Sequence, residues 1–435
     1  MTDGLTEGRH EPTGRHQQPA AAGDDKTTAI VVKPQVSGVR PRVMLLGSGE
    51  LGWELAIALQ RLGAQVIAVD GHADAPAHWV ADQSLVITMT DAGELSAAIG
   101  RLQPDFVVTA ADAVSVDALD ALAAGPDHEL AQLVPSARAV RLTADREGLR
   151  RLAADQLGLP TAPFWFAGSV GELEAVAAHA GFPLLVKPVM GAAGQGRSVV
   201  AGPDDIEPVW QRAVGAHAKT EHRRVLAETV VEIEFEITLL AVRSESPNGP
   251  VIEFCSPIGH RRAEADALES WQPQKMSTAA LDASKSIAAR IVKALGGRGV
   301  FGVELMINGD EVYFADVTAL PQHTAWVTLR SQRLSVFDLQ ARAILGLPVD
   351  TIMISPGAAR EIPPGRREGG SPGADALSGS LGVPESDLLV FGRGSVPAGA
   401  GHQLGVALAT APDVATARER ARQVAAALNV RDSRG

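Results

Sequence analysis

Leu184-Leu185-Val186-Lys187-Pro188 is a short apolar strand with a lysine near its end, and the small residues Gly191-Ala192-Ala193-Gly194-Gln195-Gly196 follow it closely. A lysine in this place supplies a point charge to phosphate groups, and glycines let backbone N–H groups approach them. No Gly-Lys-Ser/Thr follows the glycines, so the stretch is not a Walker loop. It predicts an ATP-phosphate site of another kind, in an enzyme that consumes ATP.

Acidic residues downstream of this loop indicate a nucleotide with a metal ion. Ala227-Glu228-Thr229-Val230-Val231 ends a strand in a hinge whose backbone groups can pair with an adenine edge, and Glu236 can accept from ribose hydroxyls. Glu304 and Asp316 lie on two predicted strands joined by a tight turn. In an antiparallel pair they can face one cavity, and carboxylates together with phosphate oxygens are the ligands of Mg²⁺.

The first glycine motif, Gly47-x-Gly49-x-x-Gly52, supports a different interpretation when taken alone. It stands between a strand and a helix, and Asp70 ends the next strand, which nearly completes a dinucleotide fingerprint. The same geometry also brings a helix close to a strand where no dinucleotide binds. Lys187 and the two acids need an ATP site elsewhere, so a dehydrogenase is disfavoured.

The order of predicted elements divides the chain into four parts. Residues 1–39 are rich in Gly, Pro, His, Gln and Thr and are expected to be a disordered tail. Alternating strands and helices over 40–144 predict a Rossmann-like, doubly wound parallel sheet. Mixed strands and helices over 145–345 predict the ATP-binding domain, and 346–435 a small C-terminal domain. The stretch 357–384, crowded with Gly, Pro and Ser, is predicted to be loop or insertion.

Composition limits the classes of protein to which the chain can belong. Its 435 residues carry a net charge of −12, which argues against a general nucleic-acid or anionic-membrane partner. Cys255 is the only cysteine, so neither an internal disulfide nor a cysteine-based metal cluster can form. No apolar run approaches the roughly 20 residues that span a bilayer, and residues 1–39 lack the apolar core expected of a signal peptide. A cytoplasmic enzyme is expected.

Several runs resemble the ATP-grasp superfamily and, within it, formate-dependent phosphoribosylglycinamide formyltransferases. The matching runs are residues 43–52, 66–70, 73–77, 146–148, 187–190, 234–240, 269–274, 334–335 and 342–348. The resemblance is strong over roughly 42–350 and weak beyond. It implies an α/β and α+β ATP-grasp fold, small-molecule carboxylate and amine substrates, and a homodimer. By resemblance, ATP phosphorylates formate to formyl phosphate, which an amine then attacks, as a step of purine biosynthesis.

The resemblance also assigns roles to residues of this chain. Arg146 and Lys187 would be catalytic. The implied ATP contacts are Arg146, Lys187, Ala192, Ala193, Gly194, Gln195, Gly196, Arg197, Glu228, Thr229, Val230, Val231 and Glu236. Glu304 and Asp316 would hold Mg²⁺, with Asp316 standing where the family has Glu. The implied substrate contacts are Glu50, Leu51, His323 and Arg393.

Departures from the family fall mostly where the amine acceptor would bind. Ala110 replaces a substrate-binding Glu, His323 an acid, Leu320 an Arg, Gln195 a Lys, and His402-Gln403 an Arg-Arg pair. An Arg pair binds phosphate in a bidentate way that His-Gln cannot reproduce, which predicts weak or absent use of ribosylglycinamide. Three interpretations stay open: the family reaction, the same ATP chemistry with another amine, and a catalytically weak nucleotide-binding regulatory protein. The identity of the carboxylate and the amine is not readable from the residues.

Overall fold

The computed structural model of the protein describes residues 40–111, 113–125, 131–190, 196–215, 224–246, 249–263, 267–363, 372–391 and 403–432. The expected tail of residues 1–39 lies outside this range, as do five predicted site residues. These five are Ala192, Ala193, Gly194, Gln195 and Arg393. No helix in the described ranges has the length and apolar character that crossing a membrane requires.

A parallel sheet opens the described chain and confirms the predicted doubly wound architecture. Its strands are β1 Arg42–Leu46, β2 Gln65–Asp70, β3 Gln83–Val86, β4 Phe106–Thr109 and β5 Gln132–Val134, in the order β3-β2-β1-β4-β5. The intervening helices are α1 Glu50–Arg61, α2 Ala92–Leu102, α3 Val116–Ala124 and α4 Ala137–Ala144. Side chains on both faces of β1 are fully buried, Met44 in one apolar cluster and Leu45 in another. Burial on both faces is what keeps β1 apolar from Val43 onward.

The glycine motif after β1 serves close packing. A Cβ on Gly52 would lie 2.4 Å from the carbonyl oxygen of Gly47, and Gly47 itself has φ +110°. Asp70, which would bind a ribose in a dehydrogenase, accepts a hydrogen bond from the Ser48 N–H at 2.8 Å. Because the acid holds the turn, the motif is accounted for without a dinucleotide.

A second, antiparallel sheet carries Lys187. Its strands are β6 Phe164–Ala167, β7 Leu184–Pro188, β8 Ser198–Val200 and β9 Val225–Thr229, in the order β6-β9-β7-β8. Helices α6 Val170–Ala180 and α7 Ile206–Gly215 contribute to the apolar cluster on this sheet. Before it comes α5 Arg146–Arg151, which continues as a π-helical turn at Leu152–Gln156.

The largest sheet has nine strands and carries both predicted metal ligands. From one edge, the order is β15-β14-β10-β12-β13-β16-β18-β17, with β11 beside β10. The strands before residue 345 are β10 Phe235–Ser246, β11 Gly249–Phe254, β12 Ile258–Arg262, β13 Leu268–Gln272, β14 Gly299–Asn308 and β15 Glu311–Thr318. Helix α8 Thr278–Leu295 covers one face, and the opposite face packs against the 3-10 turn His323–Val327, α9 Thr328–Ser331 and α10 Val336–Ile344.

The C-terminal region extends this sheet, and one prediction for it was wrong. The stretch 357–384 contains β16 Gly357–Ile362 and α11 Ala374–Ser380, followed by β17 Ser386–Val390, β18 Gly405–Thr410 and α12 Val414–Asp432. Glycine opens β16 because a Cβ there would lie 3.2 Å from Ser331. The Gly and Pro content of the stretch hid a strand whose partners, β13 and β18, are far away in the sequence.

Candidate active site

A pocket forms where α5, the sheet of Lys187 and the end of β15 meet. Its lining comprises Arg146, Leu149, Arg150, Lys187, Leu226, Phe314, Ala315 and Asp316. Three residues predicted from the sequence, Arg146, Lys187 and Asp316, therefore share one cavity although they are far apart in the chain. Three cations, Arg146, Arg150 and Lys187, and the Asp316 carboxylate converge here from three different elements.

Arg146 is placed by the start of α5. The Asp145 carboxylate caps the helix by accepting from the Glu147 N–H at 3.1 Å. The Arg146 N–H donates to the Val189 carbonyl at 3.2 Å, and its guanidinium Nη1 donates to the Pro188 carbonyl at 3.0 Å. These bonds fix the guanidinium beside the end of β7, next to Lys187.

Lys187 is held by an ion pair that the sequence did not predict. Its Nζ lies 2.6 Å from Oε2 of Glu228, whose other oxygen accepts from Arg150 Nη2. Burial opposes ionisation, yet the charges of Lys187 and Arg150 outweigh it and hold the pKa of Glu228 below its ordinary value. The Glu228 side chain is thus a buried counter-ion for two cations.

Arg150 connects Glu228, the partner of Lys187, to the strand that carries Asp316. It is 4% exposed and donates to the carbonyls of Phe314 at 3.1 Å and Ala315 at 2.9 Å. Its guanidinium also stacks within 6 Å of the Phe164 and Phe314 rings, at 5.7 and 5.9 Å from their centroids. Sequence reasoning missed this residue, although a charged side chain on the apolar side of a helix was a usable signal.

Glu304 and Asp316 stand directly opposite each other on β14 and β15, at a point where the strand register shifts. Burial, then the neighbouring charges of Asp316 and Glu236, raise the pKa of Glu304 to about 7. Gln322 Nε2 donates to Glu304 Oε1 at 3.3 Å. The carboxylates of Glu304, Asp316 and Glu236 therefore lie on one face of the sheet, and the nearby cations do not fully neutralise their negative charge.

This donor set fits a divalent cation. Within the described ranges, no group of three or more His, Cys, Asp and Glu side chains is arranged to hold a metal ion by itself. Asp316 Oδ1 accepts from the Val317 N–H at 2.8 Å. Two carboxylates completed by phosphate oxygens and water are what Mg²⁺ takes in nucleotide sites, so Glu304 and Asp316 match that ion.

The predicted adenine hinge lies at the end of β9. The Thr229 N–H already donates to the Pro163 carbonyl at 3.0 Å, and the Val230 N–H approaches the Pro183 carbonyl at 3.4 Å. The Val230 side chain is 50% exposed and Val231 is half-buried. The apolar side chains are therefore open to cover a base.

Three further predicted ATP contacts lie within the described residues. Gly196 has φ +67°, a conformation that favours glycine. Arg197 follows it directly and is exposed, and its charge is among those that favour the ionised forms of Glu228 and Glu304. Glu236, on β10, is paired with Met306 and with His260, on the same sheet face as the predicted metal ligands.

The predicted acceptor residues lie at the parallel sheet and at the 3-10 turn. Glu50 opens α1, and Leu51 packs against the core. Ala110 is tied to β1 by its N–H, which donates to the Leu46 carbonyl at 2.7 Å. His323 opens the 3-10 turn, 2.9 Å from the Glu361 carboxylate. Arg393 and His402 fall outside the described residues.

Comparison with known proteins gives three kinds of match. An ATP-grasp domain model matches residues 152–337. The formate-dependent phosphoribosylglycinamide formyltransferase of Corynebacterium glutamicum is 49% identical over 392 residues, covering 89% of this chain and 94% of that protein. The enzyme of the same name from Paraburkholderia xenovorans is 48% identical over 389 residues, covering 89% and 95%.

Solved structures give the same result. The structure of glycinamide-RNase-transformylase T from Mycobacterium tuberculosis is 68% identical with a TM-score of 0.76, covering 89% of this chain and all of that one. Carboxyaminoimidazole ribonucleotide synthase from Aspergillus clavatus, complexed with ATP, has a TM-score of 0.76 at 22% identity, covering 90% and 99%. At that identity, the second match supports the fold alone.

Proposed function

This chain belongs to the formate-dependent phosphoribosylglycinamide formyltransferase family, and on that premise we propose that it uses ATP to activate formate and transfers the formyl group to the amine of ribosylglycinamide. One observation carries the proposal beyond family membership. The pocket joins Arg146 and Lys187 on the phosphate side to Asp316 on the metal side. That arrangement suits transfer of a phosphoryl group across the cleft between the two sheets.

The first step forms an acyl phosphate. A formate oxygen attacks the γ-phosphorus of ATP, an O–P bond forms, and the bond to the bridging oxygen breaks so that ADP leaves. Negative charge spreads over the phosphoryl oxygens in the transition state. In this proposal Lys187 and Arg146 stabilise that charge, and the 2.6 Å contact of Glu228 with the ammonium of Lys187 supports the role of the lysine.

The carboxylates provide the metal side of the same step. Glu304 and Asp316 would hold Mg²⁺, and the bound ion would supply charge neutralisation at the phosphate oxygens. Glu236 would accept hydrogen bonds from the ribose. Thr229 to Val231 would border the adenine. Arg150 keeps the strand of Asp316 against the pocket by binding the carbonyls just before it.

The second step moves the formyl group. The amine nitrogen of the acceptor attacks the formyl carbon, a C–N bond forms, and the C–O bond to phosphate breaks. Phosphate departs with the electron pair, and the nitrogen loses a proton. Glu50 and Leu51 at the start of α1 would contact the acceptor on this side, together with His323.

Ribosylglycinamide is the first candidate acceptor because the relatives at 48–49% identity are named for it. Another amine is the second candidate, because Ala110 offers no side-chain polar group where the family has a carboxylate. The test is ADP release from ATP with formate, screened over amines with ribosylglycinamide included and over other carboxylates. Micromolar affinity for ribosylglycinamide supports the first candidate.

The other outcomes of this screen are equally decisive. Turnover with formate and a different amine supports the second candidate, while Ala110→Glu should then raise the use of ribosylglycinamide. ATP binding without turnover under any condition would contradict both and would favour a regulatory nucleotide-binding protein. Lys187→Met is the control, because formate-dependent ADP release that survives this change does not come from the pocket.

A further inference from the structure

His323 lies beside the metal carboxylates without touching them. Its neighbour on one side, Gln322, donates to Glu304 at 3.3 Å. Its neighbour on the other side, Thr324, is hydrogen-bonded at 3.0 Å to Thr238, which is the cross-strand partner of Glu304. His323 is therefore held on both sides to the part of the sheet where the activated formyl group would form.

A buried carboxylate fixes the imidazole. His323 Nδ1 lies 2.9 Å from Oε1 of Glu361, a residue only 7% exposed whose other oxygen accepts from the Leu268 N–H. A carboxylate facing Nδ1 keeps the proton on that nitrogen, so Nε2 carries the free lone pair. The Gln403 side-chain amide lies 3.1 Å from Nδ1 on the same edge, and with the proton on Nδ1 it is the amide oxygen, otherwise unpartnered among the described residues, that faces the ring.

The opposite edge of the ring is open. The His323 side chain is 42% exposed, and Nε2 has no hydrogen-bond partner within the described ranges. Trp326 packs edge-on at 6.3 Å and limits rotation of the ring. Trp326 also packs on Phe391 and, through it, on Trp53 one turn into α1, so the imidazole and the helix that starts at Glu50 belong to one packed unit.

We propose that His323, oriented by Glu361, is the base that accepts the proton from the acceptor amine during formyl transfer. The inference rests on the function proposed above. As nitrogen bonds to the formyl carbon, its proton passes to Nε2 of His323, and phosphate leaves with the electrons of the broken C–O bond. Glu361 stabilises the imidazolium that results and is a positioning residue, since it reaches the substrate only through His323.

A simple packing role is the competing explanation, because the same bond ties the 3-10 turn to β16. The two explanations differ in the step that they affect. A packing role would weaken ATP and formate use as much as formyl transfer. A base leaves formation of the acyl phosphate intact and acts only once an amine is present.

The experiment separates the two steps in the full-length protein. His323→Gln keeps a donor for Glu361 and removes the base, so formyl transfer should fall far more than formate-dependent ADP release without acceptor. Formylation of ribosylglycinamide should fall by about 10²–10⁴-fold in kcat. In His323→Ala, added imidazole should restore transfer in proportion to its concentration. Glu361→Gln should reduce formyl transfer alone. The matched control is His179→Gln, because His179 is an exposed histidine on α6.

Each remaining result overturns the inference. If His323→Gln transfers the formyl group at the wild-type rate, His323 is not the base. The same conclusion follows if only the KM for the acceptor changes and added imidazole restores no transfer. An equal loss of both half-reactions indicates a packing role. If the wild-type protein gives no formate-dependent ADP release at all, the proposed function itself fails, and this outcome is visible before any variant is compared.

Discussion

Replacing Glu228 with glutamine tests the buried ion cluster behind the phosphate site. The change leaves Arg150, 4% exposed, and Lys187, with a 19% exposed side chain, without their shared anion. Breaking a buried pair by removing one partner costs about 3–5 kcal/mol. With an unfolding entropy near 2.1 cal/mol/K per residue over the unit Arg40–Gly435, the melting temperature should fall by about 4–6 °C.

Thermal unfolding followed by circular dichroism measures the shift, with Glu232→Gln as the control. Glu232 is exposed, so its substitution should change stability by no more than about 0.5 kcal/mol. Adding Arg150→Met to Glu228→Gln should cost less than the sum of the single changes, because the second removes the cation that the first left unpaired. Equal melting temperatures for Glu228→Gln and the control would refute the idea of a stabilising buried counter-ion.

The stability difference between wild type and Glu228→Gln should depend on pH, and the pKa of Glu228 determines the direction of that dependence. Lys187 and Arg150 outweigh burial and lower the folded-state pKa of Glu228 below its ordinary 4.5. The stabilisation by Glu228 is therefore fully present above about pH 4.5 and is lost as the pH falls through the lower folded value. The gap between wild type and Glu228→Gln should be constant near neutrality and close only in acid; a gap that closes above pH 5 would contradict the assignment.

Three further predictions concern the nucleotide, the metal side and the assembly. Lys187→Met removes a charge-assisted contact, so ATP KM should rise at least about tenfold and turnover should fall by orders of magnitude, as measured by ADP release. Without magnesium, the stability of wild type relative to Glu304→Gln should decline as the pH rises from about 4.5 to about 7 and level off above, because burial, Asp316 and Glu236 raise the pKa of Glu304 from 4.5 to about 7; urea unfolding at pH 5 and pH 8 tests this. Light scattering at micromolar concentration should give a homodimer, and a monomer would count against it.

Local motifs made much of the site predictable from the sequence. Lys187 stands out because it ends an apolar strand, and the Glu304/Asp316 pair follows from two strands joined by a tight turn at Asn308-Gly309-Asp310. Both signals lie within short stretches of chain, where periodicity and turn chemistry determine the placement. The parallel order of the first sheet follows for the same reason.

Contacts between distant parts of the sequence were not predictable in this way. Arg150 meets Glu228 across 78 positions, and His323 meets Glu361 across 38. Nothing in the immediate sequence around either residue names its partner, since the pairing exists only once the sheets are assembled. Strand β16 was missed for a related reason, because the stretch that follows it is rich in Gly and Pro and its hydrogen bonds go to β13 and β18.

The continuous nine-stranded sheet constrains how the chain can be shortened. Strand β13 pairs with β16 from Glu269↔Arg360 to Gln272↔Gly357, and Arg418 of α12 binds the fully buried Glu269 from the C-terminal side. In a protein ending near residue 345, β13 would become an edge strand whose N–H and C=O groups toward β16 have no partners. The Glu269 carboxylate would also lose its contact with Arg418. Such an edge recruits strands from other copies. A truncated fragment would therefore aggregate, and the C-terminal strands are needed to keep the ATP-binding half soluble.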